Sequence, residues 1–173
     1  MSRVLYLDAF PSIFGDGAQL LGAFRSGIER QKNDMTLFRL SYLKINDCVA
    51  CPSCQYPCVL QDDGNAVLKA IEATDVIAFA FPLSSFGFPS VLTALLDRLV
   101  SLPKAKREHK RVLFFIIGNP DEAASFKESC AKLCQKEAWE ELAFLVFLSS
   151  HEIGQERFLG HCETVFQLGL HLL

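Results

Sequence analysis

Cys48, Cys51, Cys54 and Cys58 stand in one run, Cys-Val-Ala-Cys-Pro-Ser-Cys-Gln-Tyr-Pro-Cys. Gaps of two residues let neighbouring sulfurs converge on one centre with little backbone strain. Thiolates in such an arrangement hold iron–sulfur clusters or zinc. The chain has no second run of this kind, so a single [4Fe–4S] cluster would draw all four ligands from this loop. Pro57 stiffens the last spacing. Zinc suits four thiolates as well. A loop of reduced thiols without metal is the third reading.

The rest of the composition narrows the setting. The chain has 173 residues, half of them hydrophobic and 21% charged, which suits one packed domain spanning 1–173. Its formal net charge is −3 and it has no sustained basic stripe, which argues against nucleic acid as a partner. Apolar runs such as Val76 to Leu83 are far too short to span a bilayer, so no membrane association is expected. Arg3-Val-Leu-Tyr-Leu7 runs straight into Asp8, which leaves no apolar core for a signal peptide. A cytoplasmic location follows as the expectation. Seven cysteines there point to metal or core packing rather than disulfides.

The elements that must position the cysteine loop alternate regularly. Strands are expected at Val4–Leu7, Thr36–Leu40, Val76–Phe81, Val112–Ile117 and Leu142–Leu148. Between them lie amphipathic helices with apolar stripes such as Leu20, Leu21, Phe24 and Ile28, or Leu92, Leu95, Leu96 and Leu99. Val76-Ile-Ala-Phe-Ala-Phe81 is apolar throughout, as a central parallel strand covered on both faces should be. The expected fold is α/β: a three-layer sandwich whose five-stranded parallel sheet has the flavodoxin-like order 2-1-3-4-5. Ligands in such sheets bind beyond the carboxyl ends of the strands. Three loops meet there, Phe10–Gly17, Pro82–Phe88 and Gly118–Pro120, and the cysteine loop emerges at the same edge.

Two segments carry a family resemblance. Cys48 to Gly64 (CVACPSCQYPCVLQDDG) and Phe79 to Arg98 (FAFPLSSFGFPSVLTALLDR) are similar to those of the NAD(P)H-dependent FMN reductases of flavodoxin-like fold, and within them the iron–sulfur flavoproteins. In the second segment Pro82, Leu92, Asp97 and Arg98 fall on matching positions. The resemblance implies a flavin oxidoreductase or electron-transfer protein that binds FMN, takes electrons from NAD(P)H or a reduced partner, and passes them to a small-molecule or protein acceptor. It implies a [4Fe–4S] cluster on the four cysteines, and a homodimer or dimer of dimers.

The first loop departs from that pattern. Phe10, Ser12 and Gly17 stand where the family usually places serine, arginine and threonine around the FMN phosphate. Gly15 and Gly17 let backbone N–H groups approach a phosphate, whereas Asp16 is a good helix N-cap and its carboxylate competes for the same donors. In the second loop the candidate flavin contacts are Pro82, Leu83, Ser84, Ser85, Phe86 and Gly87. Phe86 or Phe88 could stack on the ring, though such aromatics also serve the core or a dimer contact, and Ser84, Ser85 and the Gly87 backbone could hydrogen-bond its polar edge. Gly118, Asn119 and Pro120 form the third loop, which an ordinary strand-to-helix turn also explains. The alternative function is a flavodoxin-like module that has lost flavin and serves as a metal-binding or protein-interaction protein. A quinone or azo-compound reductase without a cluster is a third reading.

Other residues read as structural. Cys130, Cys134 and Cys162 lie at core spacing on helices. His109 sits in a basic run at the amino ends of the strands, and His151 follows the fifth strand at the ligand edge. Asp97 and Arg98 are expected to cap and pair at a helix end or a dimer surface.

Overall fold

The computed structural model describes residues 3–84 and 87–172. Five strands, β1 (Arg3–Asp8), β2 (Asp34–Arg39), β3 (Val76–Pro82), β4 (Arg111–Ile117) and β5 (Glu140–Phe147), form one parallel sheet in the order β2-β1-β3-β4-β5. The expected topology is the observed one. The helices are α1 (Asp16–Arg30), α2 (Gly64–Ala73), α3 (Ser90–Arg98), α4 (Lys104–Arg107), α5 (Pro120–Glu137), α6 (Ser150–Ile153) and α7 (Gln155–His171).

Two cores flank the sheet. Leu5, Leu7, Ile77, Phe79 and Phe81 face one side, where α2, α3 and α5 pack with Leu68, Leu95 and Phe126. Val4, Tyr6, Ala78 and Ala80 face the other, beneath α1 and α7 with Phe24 and Phe158. The period-two alternation of side chains on each strand sorts them this way. It also explains the residue sizes on β3. Its alanines make room for the Tyr6, Phe24 and Phe115 rings, which meet with centroids 5.1 to 6.1 Å apart. On the opposite face Phe79 stacks on Phe114 at 5.4 Å and on Trp139 at 5.8 Å.

Helix and strand ends differ from expectation by a few residues. The second strand begins at Asp34, because pairing with β1 continues to Arg3↔Asp34. The fifth begins at Glu140, where Arg111↔Glu140 extends the ladder. Among the described residues, no helix is long and apolar enough to cross a membrane.

Candidate functional site

The carboxyl ends of β1, β3 and β4 bring the three loops together at one edge. The first is built on Gly15, whose backbone (φ 87°, ψ −158°) lies where side chains are rarely tolerated. Gly15 is the N-cap of α1, and no side chain caps that end. The expectation that Asp16 caps its own helix is therefore corrected. Its carboxylate instead accepts from the backbone N–H of Ser150 at 2.7 Å, at the start of α6. A glycine cap leaves the first-turn carboxylate at liberty to swing to a second helix. The uncapped amino end of the 15-residue α1 keeps backbone donors for an anion.

The Phe10 side chain is 8% exposed and packs in the α1/α7 core. Gly17 is small because a Cβ there would meet the Phe10 ring at 2.5 Å. Ser12 accepts from the Phe14 N–H at 3.1 Å, a local turn bond. Nothing in the sequence alone singles out Arg39. Its Cα is the register partner of Asp8 and its guanidinium lies 3.4 Å from the Asp8 carboxylate, just before the first loop. The pairing of adjacent strands is the signal that would have found it. Burial raises the Asp8 pKa, partly offset by the Phe10 N–H and by Arg39.

In the second loop Ser84 donates to Gly87 O at 2.7 Å and accepts the Gly87 N–H through its carbonyl at 3.1 Å, which closes a tight turn. The Ser84 hydroxyl proton is therefore spent within the loop. Gly87 has φ 109°, a conformation that needs glycine. Ser85 and Phe86 lie outside the described residues. The Leu83 N–H bonds Ile117 O at 2.8 Å. Gly118 must be small, since a Cβ there would sit 2.6 Å from the Leu83 Cβ. Asn119 accepts from the Asp121 N–H at 2.8 Å as the N-cap of α5, and Pro120 occupies that helix's first turn. Beside this loop runs an open cleft of about 700 Å³. Phe88 and Phe126, with ring centroids 4.7 Å apart, form its apolar wall, and Ser84, Thr93, Glu122 and Ser129 its polar rim.

These loops leave backbone donors at the amino end of α1 and an apolar wall of Phe88 and Phe126 beside Ser84. The four-cysteine loop fits a metal less well as it stands. Cys48 and Cys54 are exposed, and Cys51 and Cys58 half-buried. Cys51 Sγ turns to Ser53 O at 3.7 Å. The Cys54 thiol is raised by desolvation and by the Cys51, Cys48 and Cys58 sulfurs, so all four share one neighbourhood. Even so, among the described residues no three His, Cys, Asp or Glu side chains converge as a ligand set. Cys130 and Cys134 are buried thiols; burial pushes Cys134 up to about 11 and Cys130 further. A buried neutral thiol is an inert packing group. His151 is exposed on α6.

Arg98 pairs at a helix end, as expected, but not at a surface: it is the last residue of α3, 1% exposed and ion-paired with Asp62. Asp97 beside it is exposed.

A family model described as NADPH-dependent FMN reductase matches residues 3–138. A curated iron–sulfur flavoprotein from Archaeoglobus fulgidus is 23% identical over 129 residues, covering 70% of this chain and 59% of the relative. The chain thus spans well under two thirds of that relative's length. An NAD(P)H:quinone oxidoreductase from Methanothermobacter marburgensis superposes with a TM-score of 0.76 at 16% identity, over 99% of this chain and 96% of the other. An azoreductase from Bacillus anthracis superposes at 0.70 with 13% identity, over 98% and 99%. At such identities the two structures establish a shared fold and no shared chemistry.

Proposed function

The chain belongs to the NADPH-dependent FMN reductase family, and from that premise we propose that it is an NAD(P)H-dependent flavin oxidoreductase acting on a small acceptor. The observation that carries this reading is the amino end of α1, with Gly15 as its cap and, among the described residues, no side chain hydrogen-bonded as a cap there. When bound, FMN would supply hydride acceptance from NAD(P)H and two-electron delivery to the acceptor. The residues supply binding and orientation. The α1 end offers backbone N–H groups and the positive end of the helix dipole to the phosphate. Asp16 opposes that charge, and its bond to Ser150 draws the carboxylate toward α6. The Ser84 hydroxyl oxygen would accept from an N–H of the ring. Phe88 and Phe126 keep one wall of the adjoining cleft dry, which suits a flat acceptor beside the ring.

The test is an ultraviolet–visible spectrum of protein purified without oxygen, repeated as FMN is added, with NAD(P)H oxidation followed on the same sample. Uptake of one FMN per chain and flavin-dependent NAD(P)H oxidation are expected. A chain that takes up no FMN at tens of micromolar ends this reading and leaves the flavodoxin-like module without flavin.

A second reading adds a [4Fe–4S] cluster, or zinc, at Cys48, Cys51, Cys54 and Cys58. It is favoured by the common neighbourhood of the four sulfurs around Cys54 and by the name of the archaeal relative. The sulfurs would have to draw together to bind. Iron and zinc assays on the same anaerobic sample decide it, and about four irons per chain is the count one cubane requires.

A further inference from the structure

Arg98 closes α3 with a guanidinium that solvent does not reach. Burying such a charge is strongly unfavourable unless it is paired and hydrogen-bonded. Its Nη1 lies 2.7 and 2.8 Å from the two oxygens of Asp62, whose side chain is equally buried, and 3.4 Å from Asn46 O. Nε and Nη2 are buried with no partner among the described residues, where the hydrogen bonding of the guanidinium runs through Nη1.

Asp62 passes that anchorage to both ends of the cysteine segment. It accepts from the Asn46 backbone N–H at 2.9 Å, from Asn46 Nδ2 at 2.8 Å and from the Gly64 N–H at 3.0 Å. One step further out, the Lys44 N–H donates to the Asp63 carboxylate at 2.7 Å, and the Asp63 N–H returns to Lys44 O at 3.1 Å. Asn65 Nδ2 then holds Cys58 O at 3.0 Å and Leu60 O at 2.8 Å. Residues 44–46 and 62–65 are thus the two stems of a closed loop; the Asp62 and Asp63 carboxylates both join them, and Asp62 is the one tied to Arg98. Gly64 completes the fit, because a Cβ there would lie 2.5 Å from the Arg98 Nη1.

The other end of α3 is fixed as well. Pro89 is its N-cap, directly after the Ser84–Gly87 turn and Phe88. A helix of 9 residues is about 13 Å long. This one short helix therefore has Gly87 and Phe88 at its head and the stems of the cysteine loop at its foot.

We propose that Arg98 is the positioning residue of the cysteine loop: through Asp62 it fixes both stems of residues 47–61 to α3, and so sets the four thiols relative to Gly87 and Phe88 at the head of that helix. The role is the same whether the loop holds a cluster, zinc or bare thiols. Its test needs neither flavin nor metal, so it stands or falls apart from the functional reading above.

The test is hydrogen–deuterium exchange on the purified full chain, comparing wild type with Arg98→Met, Arg98→Lys and Asp62→Asn. In Arg98→Met the amides of Lys44, Asn46, Asp63 and Gly64 are expected to exchange ~100-fold faster, as loss of one partner of a buried pair implies. The amides of β3 and β4 should keep wild-type protection. Arg98→Lys, which returns a cation, should recover part of the stem protection. Unchanged exchange at the stems overturns the proposal. So does an equal rise in stems and central strands, which would make Arg98 a general core residue. If Arg98→Met does not fold, Asp62→Asn decides in its place: loosened stems over an intact sheet support the proposal, and unchanged stems end it.

Discussion

Tyr6 carries its hydroxyl into the α1/α7 core, fully buried, and no atom among the described residues bonds it. Burial pushes the phenol well above its ordinary pKa, and the neighbouring Asp8 adds to the rise. A buried hydroxyl without a partner loses its hydration and gains nothing in return. Tyr6→Phe keeps the ring contacts with Phe24 and Phe115 and removes that penalty. It should stabilise the protein by ~1 kcal/mol, seen as a higher urea midpoint with an unchanged slope. Asp16 makes a different case. Its carboxylate favours the amino end of α1, where an acidic group contributes about 0.3–1 kcal/mol, yet it opposes a phosphate at the same end. Asp16→Asn keeps an oxygen to accept the Ser150 N–H. It should lower stability slightly while tightening FMN binding several-fold, measured by fluorescence quenching. Equal or weaker FMN affinity would mean that the phosphate does not sit at this helix end.

Among the elements, α1 and α7 cross more closely than helices with ordinary side chains allow. A Cβ on Gly27 would run into Phe166 O and come within 2.8 Å of Leu170 N, and one on Gly169 would lie 2.7 Å from Phe24 O. The obstacles are backbone atoms, which cannot rotate away. Gly27→Ala must separate the helices and strip contacts from Phe24 and Val165. We expect a loss of ~1–3 kcal/mol, lowering Tm by several degrees for a chain of this size. The order and type of the elements were legible in the sequence, because runs such as Val76–Phe81 and the stripe through Leu92, Leu95 and Leu99 state their own periodicity. The thiols of Cys130 and Cys134 were legible in the same way, as inward residues of α5. What stayed hidden depends on partners far apart in the chain. Arg98 and Asp62 are 36 residues apart and Asp16 and Ser150 are 134 apart. A charged residue by itself reads as a surface residue. Phe10 misleads for a related reason: a loop residue reads as available until the glycine that leaves room for its ring, Gly17, is known to face it.

For the whole molecule, the pH dependence of stability turns on two buried carboxyls that shift in opposite directions. Burial would raise Asp62, but the bonds from Asn46 and Arg98 and the guanidinium charge outweigh it and leave its pKa below the ordinary value. Asp8 is raised, since burial there exceeds the help from the Phe10 N–H and Arg39. For Asp62 the folded state binds the proton more weakly than the unfolded state does. Its contribution is therefore complete above the ordinary carboxyl range near about 3.9 and is lost as pH falls through the lower folded value. For Asp8 the folded state binds the proton more tightly. Its contribution is present below that ordinary range and is lost as pH rises through the raised folded value. Acidification from neutrality thus recovers the Asp8 contribution first and forfeits that of Asp62 afterwards. Tm should hold or rise on the way down and then fall below roughly pH 4, with the stems of the cysteine loop opening before the sheet. Scanning calorimetry against pH separates the two groups. Asp8→Asn should remove the gain on acidification, and Asp62→Asn should lower Tm near neutrality and flatten the acid limb. If Asp62→Asn leaves that limb as steep as in the wild type, the acid lability belongs to carboxylates elsewhere, and the Arg98–Asp62 pair holds the loop without governing how the whole chain responds to acid.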